Sequence, residues 1–293
     1  MTLEVFEELV KLAMKEQPEK PKTTEDLWNK FLYIVFMGGK RSDNDIKLII
    51  NMLQSKKLLD FEYIKKTDGE DWREAVGNIL KERMKRIRDE DMLLMLKEFQ
   101  KEIFRISASI KGGARFFVKE NINPETLEKM LDSKEKTWEF IEGLANNHDV
   151  PNIKYTKIII WLHSIGYGSD FCPPSWQTKQ FVNNEIGPYY QFYDDDKYFM
   201  KKCEEFSEEV KKKVKKSTSR DVSVAIFYYM NLKSMLPPRS AAKKNFTPQT
   251  AVKFLKKKKL TLSGISEMLS DPDKRQKLME DINNFGLTLR KRL

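Results

Sequence analysis

Apolar residues recur at helical spacing through nearly the whole chain. In residues 3–16, Leu3, Phe6, Leu9, Val10 and Ala13 fall on one face of an α-helix. The QPEKPKTTED stretch breaks the pattern, and Thr24 is suited to cap a helix starting near Glu25. Leu27, Trp28, Phe31, Leu32, Ile34, Val35 and Phe36 then cover much of a helix circumference, which predicts a central, buried helix. Gly38-Gly39 ends it, and Ser42 or Asp43 caps the next, whose inner face is Ile46, Ile49, Ile50 and Leu53. A further helix is predicted over 71–80, and the charge-dense stretch 81–101 reads as an exposed helix or helix pair.

The second half continues in the same way. Gly112-Gly113 reads as an interruption, Pro124 opens a short helix, and Ser133 caps another. The turn ANNHDVPNI leads into YTKIIIWLHSIG, with Gly166 closing that helix. Ser175, behind two prolines, is an N-cap for WQTKQFVNNEI. A long basic amphipathic helix over 194–216 precedes an apolar one over 219–236, stopped by Pro237-Pro238. From Pro248 onward the pattern predicts two or three short basic helices. The KIIIW run is β-branched, yet its flanks fit a helix, and no alternating hairpin with an NG or DG turn occurs. The fold class expected is all-α.

Composition removes several classes of function. The 293 residues include two cysteines, Cys172 and Cys203, and two histidines, His148 and His163. That set supports neither a disulfide framework nor a zinc site of usual spacing, and points to a reducing compartment: cytoplasmic, or nuclear in a eukaryote. No apolar run is long enough to span a membrane, and acids within the N-terminal pattern exclude a secretory signal. P-loop, GxGxxG, GxSxG, HExxH and EF-hand signatures do not occur, so no cofactor or metal is expected. His163 sits on an apolar helical face and reads as a core residue.

Charge adds a direction. The net charge is +10, but residues 197–293 hold 24 basic against 10 acidic residues, a net of +14, and the rest of the chain is at −4. A basic third on a nearly neutral body predicts a surface that meets a polyanion. The bland alternative is a solvated, lysine-rich helical face.

Residues 105–186 run in a suggestive order: a helix over RISASIKGGARFFVKE, then NPETLEKML, SKEKTWEFIEGL, a turn VPNIKYTK, the apolar helix IIIWLHSIG, an acidic loop GSDFCPP and the capped helix SWQTKQFV. This order resembles the helix-hairpin-helix DNA glycosylase superfamily, with 150–158 in the hairpin position. The earlier LWNKFLYIVFMGGKRSDNDIKLIINML is similar to that family's buried first helix, turn and second helix. The resemblance covers roughly residues 25–236. It implies a two-lobed all-α fold with a central helix-hairpin-helix over 1–236, and a basic helical extension over 237–293. It also implies a monomer that binds double-stranded DNA holding a lesion or mismatch, with the damaged base flipped into an interlobe cleft and excised.

In that family the hairpin glycines bring backbone N–H groups to a phosphate. A lysine after the hairpin attacks the sugar C1′, and an aspartate stabilises the cation. This chain departs from the pattern at each point. The glycine positions hold Asn152 and Lys154, the lysine position holds Thr156 with Lys157 one place on, and the aspartate position falls on Ser175 or Trp176. The expected catalytic residues are therefore Lys157 and Asp170, with an aspartate of 194–196 as an alternative acid. The expected nucleic-acid contacts are Asn152, Lys154, Tyr155, Thr156, Ser175, Trp176, Lys211, Lys212 and Lys213. The alternative reading is a nucleic-acid-binding module on the same scaffold without catalysis. A helical protein whose basic face meets acidic protein partners is a third.

Overall fold

The computed structural model describes residues 3–37, 43–67, 71, 74–75, 77–78, 90–234 and 248–290. Every described element is helical, as the periodicity predicts. The contacts divide the chain into two compact units, Glu19–Tyr167 and Met1–Pro18 with Gly168–Leu293. The expected boundary at 236/237 does not coincide with this division, because the C-terminal helices share a core with the first helix of the chain.

The Glu19–Tyr167 unit is built around α2 (Thr24–Phe36), which packs on α3 (Asp43–Ser55), α5 (Glu90–Lys119) and α8 (Tyr155–Ser164). The remaining helices of the unit are α4 (Phe61–Lys66), α6 (Pro124–Met130) and α7 (Lys134–Ala145). Leu27, Trp28, Phe31, Leu32, Ile34, Val35 and Phe36 are all buried, so the broad apolar circumference of α2 does mark a central helix. Phe31 sits among Trp28, Phe117 and Trp161, with ring centroids 5.4–5.5 Å away. Edge-to-face and stacked pairs of this kind each add about 0.5–1.5 kcal/mol beyond the area they bury. His163 is buried in α8, 8% exposed, as its apolar neighbours predict.

Two local expectations are corrected. The cap of α2 is Thr23, not Thr24: its hydroxyl accepts from Asp26 N, and the Asp26 carboxylate accepts from the Thr23 N–H, a complete capping box. Nor do Gly112 and Gly113 interrupt anything; both lie inside the 30-residue helix α5. They are close approaches. A Cβ on Gly112 would stand 1.8 Å from the Asp149 carbonyl oxygen, and one on Gly113 would stand 2.3 Å from the Phe31 ring. Asn123 and Ser133 cap α6 and α7. Of the helix expected over 71–80, residues 71, 74–75 and 77–78 are helical, while Gly38-Gly39, Ser42 and all of 81–89 fall outside the described residues.

The other unit is centred on α11 (Ser219–Ser234), against which α1 (Leu3–Ala13) makes the most extensive helix pairing among the described residues. Around the pair stand α9 (Trp176–Phe181), continued by a π-turn over Val182–Ile186, α10 (Asp196–Lys213) and α12 (Pro248–Lys257). The last two helices are α13 (Leu262–Ser270) and α14 (Pro272–Arg290). Phe6 of α1 stacks on Phe181 at 5.4 Å and meets Phe206 edge-on at 5.2 Å. A buried polar knot ties the end of α1 to the start of α11. Arg220 donates to the Glu16 carbonyl at 2.7 Å and to Asp221 at 3.1 Å, and Asp221 also accepts from the Thr218 N–H at 2.9 Å. Pro237-Pro238, read as the stop of α11, lies outside the described residues. Both cysteines are reduced and buried, and burial pushes the Cys203 thiol well up, which disfavours its thiolate.

Candidate nucleic-acid interface

A turn over 146–154 joins α7 to α8, and its conformation follows from a few contacts. Val150 and Ile153 are buried, anchoring both sides of the turn in the core. Pro151 O accepts from Ser109 Oγ at 2.6 Å, and the absent side chain of Gly112 lets α5 lie against Asp149. Asn152 takes the left-handed conformation, φ 63°. Asn visits that region more readily than other non-glycine residues, because its short side chain is compatible with it.

The predicted site residues in this unit divide between exposed and engaged. Asn152 is exposed at the tip of the turn. Lys154 also has an exposed side chain, yet its ammonium reaches back to donate to the Ala145 carbonyl at 2.6 Å, satisfying a free acceptor at the end of α7. Lys154 is the N-cap residue of α8 but supplies no side-chain cap, whereas Thr23, Asp60, Asn123, Ser133, Ser175, Asp195 and Thr261 cap their own helices. Tyr155 stacks flat on Trp138, with centroids 5.8 Å apart and planes 6° from parallel. Thr156 is half-buried in the first turn of α8. Lys157 donates to the Val35 carbonyl at 3.1 Å, at the C-terminal end of α2, where the negative end of a helix dipole attracts a cation.

Asp170 is exposed and belongs to the other unit, so Lys157 and Asp170 lie in different compact units. Ser175 does what a cap does: its Oγ accepts from Thr178 N at 3.2 Å and shares a hydrogen bond with the Thr178 hydroxyl at 3.0 Å. Trp176 is 65% exposed and stacks on Tyr193 at 5.5 Å. Tyr189 and Phe192 are also largely exposed. Acids accompany these rings. Tyr190 donates to Asp195 at 3.0 Å, a bond that raises the phenol pKa, and Lys179 is paired with Asp196 at 2.6 Å.

The basic residues form a different surface of this unit. Lys211, Lys212 and Lys213 end α10 and are exposed, followed by exposed Lys215 and Lys216. Lys211 pairs with Glu208 at 3.5 Å, while Lys212 makes no ion pair among the described residues. A second exposed group, Lys253 and 256–259, ends α12. The two groups are brought together by α1. Lys213 lies 3.8 Å from Glu7, and Lys256 lies 2.5 Å from Glu8. Adjacent helical residues point about 100° apart, so the two lysine groups meet α1 along different directions at neighbouring residues. Ten exposed lysines thus belong to one neighbourhood. The second group is visible in the sequence as a charge run. Its meeting with the first is not, because the bridging acids lie more than 200 residues away, near the other end of the chain.

Among the described residues, no group of His, Cys, Asp and Glu is arranged to hold a metal ion, and no helix is long and apolar enough to cross a membrane. Set against protein-family models, curated proteins and solved structures, the chain matches none of them.

Proposed function

We propose that this protein binds double-stranded DNA through its phosphates, with the lysine surface around α1 as the principal contact. The observation that carries the reading is the pair of ion pairs Lys213–Glu7 and Lys256–Glu8, which joins two distant lysine groups into one basic surface. Most of these lysines keep their ammonium groups in solvent. Exchanging solvent counterions for phosphates is the main source of non-specific DNA affinity. The exposed turn at Asn152, leading to the uncapped start of α8, supplies a second contact of the kind a helix N-terminus offers an anion.

The test is fluorescence anisotropy of a labelled duplex across a salt series. Affinity falls steeply with salt, at a log–log slope of about −0.9 per neutralised phosphate. The triple variant Lys211→Gln, Lys212→Gln, Lys213→Gln flattens that slope. Absence of binding at low salt defeats the reading and favours an acidic protein partner for the same surface.

Base excision is the second reading, and the left-handed Asn152 followed by buried Ile153 at the hairpin position favours it. In it, the neutral Lys157 amine attacks C1′ of the damaged nucleotide, the glycosidic bond breaks and the base leaves with a proton from that amine, and opening of the C1′–O4′ bond leaves a Schiff base. The test is borohydride trapping on a panel of duplexes, each with one lesion or mismatch. A trapped adduct that Lys157→Gln abolishes supports catalysis. DNA binding without trapping or base release leaves the binding module.

A further inference from the structure

Between α1 and α12, inside one compact unit, lies a half-open cleft of about 810 Å³, within the ~300–1,000 Å³ range of small-molecule sites. Its floor is aliphatic. Leu255 is fully buried, and Leu12, Met14 and Leu260 are half-buried hydrophobic side chains backed by the core of the unit. Its rim is cationic, formed by Lys11 and Lys15 of α1 with Lys256 and Lys259 at the end of α12.

The charge of the rim is unbalanced. Of the two acids in the lining, Glu8 is bonded by Lys256 at 2.5 Å and Lys11 at 3.1 Å, and Glu16 is the other. Four ammonium groups therefore face two carboxylates. Lys15 and Lys259 make no ion pair among the described residues and are exposed at the mouth. The lining contains no aromatic ring and no amide side chain. It gives a nucleobase neither a stacking surface nor groups to read its edge, whereas methylene groups and an anionic head match what is present. Lysine stems extend an apolar floor while their ammonium groups stay wet, so rim and floor suit one amphiphilic molecule.

We propose that this cleft binds a single-chain anionic amphiphile, its aliphatic chain along Leu12, Met14, Leu255 and Leu260 and its carboxylate between Lys15 and Lys259. No base or phosphodiester is needed to fill the site, although its rim lysines Lys256 and Lys259 also belong to the lysine surface around α1.

The experiment is isothermal titration calorimetry of the full chain with octanoate, decanoate and laurate, each below its micelle-forming concentration. Butyrate and inorganic phosphate serve as head-only probes. Laurate binds one to one, and affinity rises with chain length by up to about fourfold per added methylene, the ratio set by burying a CH₂. Lys15→Gln with Lys259→Asn weakens laurate at least tenfold. Asn is chosen because Lys259 has φ 52°, a left-handed position that Asn accepts. Circular dichroism establishes that the double variant is folded, and Lys129→Gln, on the other unit, leaves binding unchanged. Affinity independent of chain length, phosphate binding as tight as laurate, or equal laurate binding by the double variant overturns the proposal. No laurate binding together with weakened duplex DNA binding in Leu12→Gln overturns it too, and assigns the cleft to nucleic acid.

Discussion

Gly113 and Phe31 stand so close that a single methyl group does not fit between them: a Cβ on Gly113 would lie 2.3 Å from the Phe31 ring. The contact presses α5 onto the aromatic centre of its unit, where Phe31 already touches Trp28, Phe117 and Trp161. Glycine normally weakens a helix interior by about 1 kcal/mol relative to alanine. Here the missing side chain is what allows the helix to pack.

Gly113→Ala is expected to destabilise the protein by about 1–2 kcal/mol, the overpacking cost less the gain in helix propensity. Gly112→Ala costs more, because its new Cβ would meet the backbone oxygen of Asp149 at 1.8 Å, and backbone cannot rotate aside as a ring can. Urea midpoints of the two variants measure both. A stabilised Gly112→Ala would show that α5 and the α7–α8 turn are not in contact.

Asn152 at φ 63° yields a comparison of two substitutions. Asn152→Gly keeps the left-handed conformation and leaves the melting temperature nearly unchanged. Asn152→Ala pays about 1 kcal/mol for placing a Cβ-bearing residue there without the local hydrogen bonding of Asn. If the turn contacts DNA phosphate, the alanine variant also binds duplex more weakly than the glycine variant at equal salt.

Tyr229 gives the pH dependence a sign. Burial first, and the neighbouring Glu185 carboxylate second, push its phenol up to about 12 from an ordinary 10. The folded protein keeps this proton over a range in which the unfolded chain releases it. The resulting stability is fully present below pH 10 and is lost as pH rises from about 10 toward 12. Denaturant midpoints across that range fall steeply in the unmodified protein and less steeply in Tyr229→Phe.

The two lysine groups that meet α1 are separable by charge removal. Lys212→Gln and Lys257→Gln are each expected to reduce the salt slope of duplex binding by about 0.9 if each contacts one phosphate, and together by about twice that. A double variant no different from either single one would show that only one group reaches the duplex.

Much of the fold was legible because helical periodicity is local. A residue's place on α2 or α8 depends only on neighbours three and four positions away, and the burial of Phe31, Phe36, Ile158 and Ile159 follows that pattern. Caps are local too, so Ser133 and Ser175 were readable, and Thr23 was missed by one place because adjacent threonines both satisfy the rule. The turn at Asn152 was readable from its order and from the tolerance of Asn for φ above zero.

What the chain pattern could not supply was every relation between distant residues. Two adjacent glycines in a helix look like a break until Phe31 and Asp149 are placed against them, because whether Gly interrupts or packs depends on what comes close from elsewhere. The sequence reads Lys154 as a nucleic-acid contact and Lys157 as a catalytic lysine, while in the structure their ammonium groups donate to the carbonyls of Ala145 and Val35, acceptors left open at two helix ends. Nothing in the sequence ties Glu7 and Glu8 to the ends of α10 and α12, which the fold brings to them. Periodicity determines which face of a helix turns inward. Which helix it turns toward is decided by tertiary packing, and it is there that the lysine surface and the α1–α12 cleft arise.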